Sequence, residues 1–215
     1  MAGAWKDGNH RGIVQLEITY ANGEKDTIVT DETWQGTESP ILSDSIYNGE
    51  IYDARLEMPG WNGPGFDAST WRNALLSDQP IDTLTAHVGP PIQVTEEIVP
   101  VSVSELKHGV FIFDFGQNAA GRARLKVTGE AGTTVRIRHA EVLNPDGTLH
   151  TEILRGAKCT DTYILKGLGE EVWEPAFTYR GFRYAEVTGY PGAPTKDSLT
   201  LRVMHANTPQ IGEFT

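Results

Sequence analysis

Apolar and polar residues alternate in short runs along this chain. Val14, Leu16, Ile18 and Tyr20 alternate with Gln15, Glu17 and Thr19, the period of a half-buried strand. Asn22-Gly23 follows, a strong hairpin signal, and Lys25 to Thr30 reads as the return strand. Phe111, Phe113 and Phe115 take every second position of another strand. Ala123, Leu125 and Val127 alternate with Arg122, Arg124 and Lys126 in the next. Gly129-Glu130-Ala131-Gly132 turns the chain, after which Val135 and Ile137 alternate with Arg136 and Arg138. Later strands are expected at Thr162–Lys166, Phe182–Thr188 and Leu199–Met204. Helical spacing is scarce. Asp67-Ala68-Ser69-Thr70-Trp71 reads as one short helical turn capped by Asp67.

Turn residues punctuate these runs, with 23 glycines and 12 prolines in 215 residues. Short strands at such spacing predict an all-β chain built as sandwiches, not a parallel α/β sheet. The stretch 88–102 opens on Gly89-Pro90-Pro91 and closes on Pro100. It is either a boundary between two domains, 1–95 and 96–215, or an extended strand crossing between sheets. The boundary is the preferred reading.

Charge narrows the partners. Lys and Arg number 18 against 29 Asp and Glu, a formal net charge of −11. Duplex binding needs a basic footprint, so nucleic acid is not expected, nor is an anionic membrane surface. A neutral partner such as a sugar suits this balance. No apolar run approaches the roughly 18 residues of a membrane helix. Met1-Ala2-Gly3-Ala4-Trp5-Lys6 lacks the features of a signal peptide, and the sequence leaves the compartment open. The single cysteine, Cys159, permits no internal disulfide and no cysteine-based zinc site.

The second half carries an ordered series of motifs: Phe113-Asp114-Phe115-Gly116-Gln117-Asn118, Gly121, His139-Ala140-Glu141-Val142-Leu143, Asn144-Pro145-Asp146-Gly147, Leu154-Arg155-Gly156-Ala157, Thr160-Asp161-Thr162-Tyr163, and Trp173-Glu174-Pro175-Ala176-Phe177-Thr178-Tyr179-Arg180-Gly181-Phe182-Arg183-Tyr184. This series resembles the concanavalin-like β-sandwich domain of bacterial α-L-rhamnosidases. Tyr47-Asn48-Gly49-Glu50-Ile51-Tyr52-Asp53-Ala54-Arg55, Gly60-Trp61, Phe66-Asp67 and Trp71 resemble the jelly-roll domain at the front of that family. The resemblance covers nearly the whole chain. It implies two non-catalytic β-sandwich domains, with the inverting acid and base in a separate (α/α)6 barrel. Gly212-Glu213-Phe214-Thr215 reads as the lead-in to that barrel. The chain alone is then expected to be inactive, and the parent to be a glycosidase, a hydrolase releasing L-rhamnose.

Four groups of residues carry candidate chemistry. Asn48, Glu50 and Asp53 offer oxygens near one strand start. Some N-terminal domains of the family are calcium-dependent rhamnose-binding modules, so the resemblance implies a calcium site at Asn48, Glu50 and Asp53. Carbonyls near Gly89-Pro90-Pro91 would complete it. Trp61 or Trp71 would present a flat face to the sugar. The competing reading pairs Asp53 with Arg55 and puts both tryptophans in the core. Asp114, Gln117 and Asn118 read as turn chemistry around a positive-φ Gly116, a cleft wall being the alternative. His139, Glu141 and Asp161 are the set nearest to an acid–base constellation. Ion pairs with Arg136, Arg138 or Arg155 explain the same residues. In Arg180-Gly181-Phe182-Arg183-Tyr184, packing is expected, with Arg183 paired to Glu174 or Glu186. Cys159 has only Lys158 beside it and reads as inert.

Overall fold

A computed structural model of the protein describes residues 11–78, 84–209 and 211–213. The opening hexapeptide and the last two residues, Phe214 and Thr215, lie outside the described residues. In chain order the strands are β1 (Gln15–Thr19), β2 (Lys25–Val29), β3 (Gln35–Gly36), β4 (Ile41–Ser45), β5 (Gly49–Asp53), β6 (Arg72–Asn73), β7 (Ile92–Ile98), β8 (Ser102–Lys107), β9 (Val110–Thr128), β10 (Thr134–Ala140), β11 (Thr160–Ile164), β12 (Glu170–Trp173), β13 (Arg180–Thr188) and β14 (Leu199–Ala206). The helical content of the described residues is three short 3-10 turns. The all-β expectation holds. At Asp67 the structure corrects a detail: the Asp67 carboxylate accepts the Ser69 N–H at 3.0 Å, but the chain makes a turn there, not a helix.

The chain folds as two compact units. One comprises 1–38 and 58–86, the other 39–57 and 87–215. In the first, β1 and β2 form the expected hairpin, closed by Tyr20 N–H to Glu24 O at 2.9 Å. A second two-stranded sheet joins β3 to β6. The half-buried alternation expected of β1 is not realised, for Leu16 is 51% exposed and Val14 and Ile28 are exposed too. A two-stranded ribbon has no opposing layer to cover its apolar face.

The second unit holds one ten-stranded sheet ordered β4-β5-β11-β10-β13-β9-β14-β7, with β8 and β12 also paired to β9. Residues 92–98 are thus a strand, paired with β14. β9 explains how one sheet becomes a sandwich. Its first part pairs with β8 and with Tyr184–Thr188 of β13. Its last part pairs with β14 and β12. The strand is therefore shared by both layers, and the two apolar runs read separately in the sequence belong to one element.

Between those parts, residues 115–118 oppose the single residue Arg183, a wide bulge that re-aims the strand. Gly116 sits there at φ +80°, and its N–H donates to Asp114 Oδ1 at 2.7 Å. Asp114 thus bonds the backbone of a bulge within a continuing strand, while Asn118 Nδ2 donates to the Glu141 side chain at 3.0 Å.

Phe111, Phe113 and Phe115 of β9 meet Ile137, Val187 and Leu201 in one buried core. Tyr52 joins them from β5, within 5.8 Å of Tyr163 and 5.9 Å of Trp173, ring centre to ring centre. β5 runs parallel to β11, an arrangement that requires a long connection. A segment from the first half of the sequence thereby becomes part of the second unit's sheet.

Candidate functional site

The β4–β5 turn sets the site's position. Ser45 Oγ accepts the N–H groups of Tyr47 and Asn48 at 3.3 and 3.2 Å, tightening the turn as short hydroxyl side chains do. Gly49 follows at φ +106°. A Cβ on it would collide with the Thr160 carbonyl, so only glycine lets the turn lie this close to β11. Cys159 N–H donates to Tyr47 O at 3.0 Å and Thr160 N–H to Asn48 O at 2.9 Å. This seam places Glu50 next to Asp161.

Asp161, buried with 2% of its surface exposed, is the hub. Its Oδ1 accepts Glu50 N–H at 3.1 Å. Arg180 grips both its oxygens, each at 3.2 Å, and also donates to Thr178 Oγ1 at 2.8 Å. Glu50 is likewise buried, and its Oε2 accepts Ala176 N–H at 2.9 Å and Phe177 N–H at 3.4 Å. Thr178 Oγ1 donates to Ser45 O at 3.4 Å. His139 Nδ1 lies 3.1 Å from Cys159 O and 3.0 Å from Arg180 Nη1, and its ring stands edge-on to Phe182 at 4.5 Å. Its Nε2 is 3.9 Å from Asp161 Oδ2. The cluster thus ties three surface loops together: 45–49, 157–160 and 174–179.

Burial controls the protonation of this cluster. It raises the pKa of Asp161 and of Glu50, where backbone hydrogen bonds only partly offset it. Asp44 is raised by burial and then by Asp161. His139 is held well below the ordinary histidine range by burial and then by Arg180, and so is neutral. Burial also raises the Cys159 thiol, the opposite of what an activated thiolate needs. Arg180 offsets part of the rise at Asp161 and Asp44, favouring their charged forms against the cost of burial.

The acid–base reading does not survive this geometry. Asp161 is locked to Arg180, not to Arg136, Arg138 or Arg155, and is sealed from substrate. Glu141 accepts Asn118 Nδ2 at 3.0 Å instead. Arg183 grips Asp114 at 2.8 and 2.9 Å rather than Glu174 or Glu186. Glu174 is taken by Arg122 at 2.7 Å and Arg202 at 3.1 Å.

The sugar and calcium residues are placed as follows. Asp53 pairs with Arg55 at 2.8 and 2.7 Å, which holds its carboxyl below the usual range. Asn48 Oδ1 accepts Lys158 N–H at 3.4 Å. Glu50 and Asp53 stand three residues apart on β5 and so project to opposite faces. Pro91 O accepts Asn207 N–H at 3.1 Å. Among the described residues no three His, Cys, Asp or Glu side chains gather as a metal site. Asn48, Glu50 and Asp53 do not fit one calcium ion, because both Asp53 oxygens are held by Arg55, Glu50 Oε2 is held by the 176–177 backbone, and Glu50 and Asp53 project to opposite faces. Trp61 and Trp71 belong to the first unit. Trp61 is 59% exposed, and Trp71 packs on Phe66 at 5.5 Å. Sequence reasoning passed over Thr178 and the bond from Arg180 to Asp161. The signal for the latter was an arginine at a strand start and an aspartate at another, which no local spacing connects.

Comparison with known proteins matches residues 3–96 to the α-L-rhamnosidase N-terminal domain and residues 104–205 to the bacterial α-L-rhamnosidase concanavalin-like domain. An α-L-rhamnosidase of Streptomyces avermitilis is 49% identical over 94% of this chain and 20% of its own length. One from Formosa agariphila is 39% identical over the full chain and 24% of its own length. The crystal structure of the Streptomyces avermitilis enzyme, complexed with L-rhamnose, superimposes with a TM-score of 0.88 over 91% of this chain and 19% of that one. The Dictyoglumus thermophilum α-L-rhamnosidase gives 0.87 at 46% identity, over 91% of this chain and 22% of that one. The chain spans about a quarter or less of the length of these relatives. This chain belongs to the bacterial α-L-rhamnosidase family, of which it carries the N-terminal and concanavalin-like domains.

Proposed function

We propose that this chain is the non-catalytic β-sandwich portion of an α-L-rhamnosidase and supports an (α/α)6 catalytic domain in cis. The observation that carries this reading is the coverage. At 49% identity nearly all of this chain finds a counterpart in a fifth of its relative. The candidate acids are compatible with it: Asp161 is buried in its pair with Arg180, Glu50 caps the 176–177 backbone, and Glu141 accepts the Asn118 amide. An inverting glycosidase needs two carboxylates flanking a cleft with space for water. Incubation with an aryl α-L-rhamnoside tests the reading. The 215-residue chain should release no aglycone, and the full-length protein that contains it should. Turnover by the chain alone, abolished in Glu141→Gln, would refute it.

The exposed Trp61 ring favours a second reading, binding of L-rhamnose-containing glycans by the N-terminal unit. A wide indole face suits the apolar side of a sugar ring. Calorimetric titration with L-rhamnose decides it. Heats that disappear in Trp61→Ala support it, and no heat at saturating sugar removes it. Because the calcium donors are not gathered, EDTA should leave any such heats unchanged.

A further inference from the structure

We propose that the rim formed by the 45–49 turn and the 174–179 loop is the docking surface for the catalytic portion of the same polypeptide. This rests on the reading above, that the chain is part of a longer rhamnosidase. Phe177 is 73% exposed and Tyr47 70%, and Ile46 and Tyr179 are also exposed. Their loops are bonded to one another through Glu50, Thr178 and Ser45. Exposed apolar side chains scattered singly need no explanation, but a group of large ones at one end of a sheet marks a contact surface. Aromatic side chains held by a rigid base are the anchors that interfaces favour, because little entropy is lost when they are covered.

The base here is densely hydrogen-bonded and buried. A buried Glu50, Asp161, His139 and Arg180 fix the turn and the loop from below. Glu50 Oε1, His139 Nε2 and Arg180 Nε are themselves buried without a hydrogen-bond partner. Burying unsatisfied polar atoms is costly, and a well-packed apolar cluster would hold a purely structural end of the sheet as firmly. What this polar base does is present backbone and aromatic groups outward in one fixed arrangement. The occupant is the remainder of the parent, because the relatives carry roughly three quarters or more of their length outside this segment. A covalent tether raises the effective concentration of that partner, so a few anchors are enough to seat it.

Hydroxyl-radical footprinting with mass spectrometry tests the surface. Reactivity at Tyr47, Phe177 and Tyr179 is compared between this chain and the full-length rhamnosidase that contains it. His108, fully exposed on the β8–β9 turn, serves as reference. In the full-length protein Phe177 should fall to the level of buried Phe113 while His108 is unchanged. Equal reactivity of the three aromatics in both proteins would overturn the proposal. So would protection already present in this chain alone and lost on dilution, which would assign the rim to a second copy. Phe177→Ser together with Tyr47→Ser gives an independent readout: a lower melting temperature in the full-length protein only supports the docking, and equal effects in both refute it. The assay on aryl rhamnoside keeps the two readings apart. A full-length protein without hydrolytic activity removes the rhamnosidase reading, whereas the footprint reports on the rim alone.

Discussion

Replacing Asp161 with Asn leaves the Arg180 guanidinium buried beside a neutral amide. Both partners are nearly inaccessible, with side chains 2% and 8% exposed. Loss of one member of such a pair costs about 3–5 kcal/mol, mostly for stranding the other charge. Asp114→Asn removes the same kind of contact from Arg183, but those side chains are 20% and 38% exposed, and the cost should be about 1 kcal/mol or less. Urea denaturation of the two variants should show this ordering, and equal shifts would contradict the role given to burial. Glu50 has a distinct signature. Burial raises its pKa, so the folded protein holds that proton more tightly than the unfolded chain. Its penalty is absent below the unfolded value, near 4.5, and grows as pH rises towards the folded value. Glu50→Gln keeps an acceptor for the Ala176 and Phe177 N–H groups but has no proton to lose. The variant's stability relative to wild type should therefore improve from pH 4 to pH 8, and a pH-independent difference in urea midpoint would contradict this account.

At the level of elements, periodicity was a good guide wherever two layers sandwich the strand. The Phe111-Phe113-Phe115 run and the strands at 135–138, 182–188 and 199–204 appear where alternation put them. Alternation failed as a guide to burial in β1, because burial depends on an opposing layer that the strand's own sequence does not encode. It also missed β4 and β5, whose Ile41–Ser45 and Gly49–Asp53 are short and carry Asp44, Glu50 and Asp53. Glu50 looked like a ligand because its partners, the Ala176 and Phe177 N–H groups, lie more than a hundred residues away. Only the Asp53–Arg55 pair, two residues apart, was legible in the sequence. The swap of β5 into the second unit yields a sharp expectation. A chain beginning at residue 87 keeps every later strand but loses β4 and β5. It exposes the β11 edge, uncovers Tyr163 and leaves Asp161 without the Glu50 N–H. Unpaired edges and stripped aromatics favour association over folding. Such a chain should lack a cooperative thermal transition by circular dichroism, whereas one beginning at residue 39 should retain it. A cooperative melt from residue 87 onward would show that β5 is only an addition to the sandwich.

Across the whole molecule, burial is distributed unevenly between the two compact units. Among the described residues every buried side chain, from Glu50 to Leu201, belongs to the unit of 39–57 and 87–215. The described part of the other unit contains no residue of that class. Its β1–β2 ribbon is held by backbone ladders, the Tyr20–Asp26 hydrogen bond at 2.7 Å and exposed apolar pairs such as Leu16 opposite Ile28. Ladders whose donors lie close to water open locally at small free-energy cost, while those beneath a packed core open only with the whole domain. Hydrogen exchange should therefore divide the chain into two classes. Amides of 15–29 should exchange early, and those of 111–115, 123–127 and 182–187 should be the last to exchange. In the full-length protein a layer covering the ribbon would slow the first class and leave the second unchanged. If 15–29 were instead protected to the same degree as β9 in this chain alone, the ribbon would have to be stabilised by something other than its own two strands.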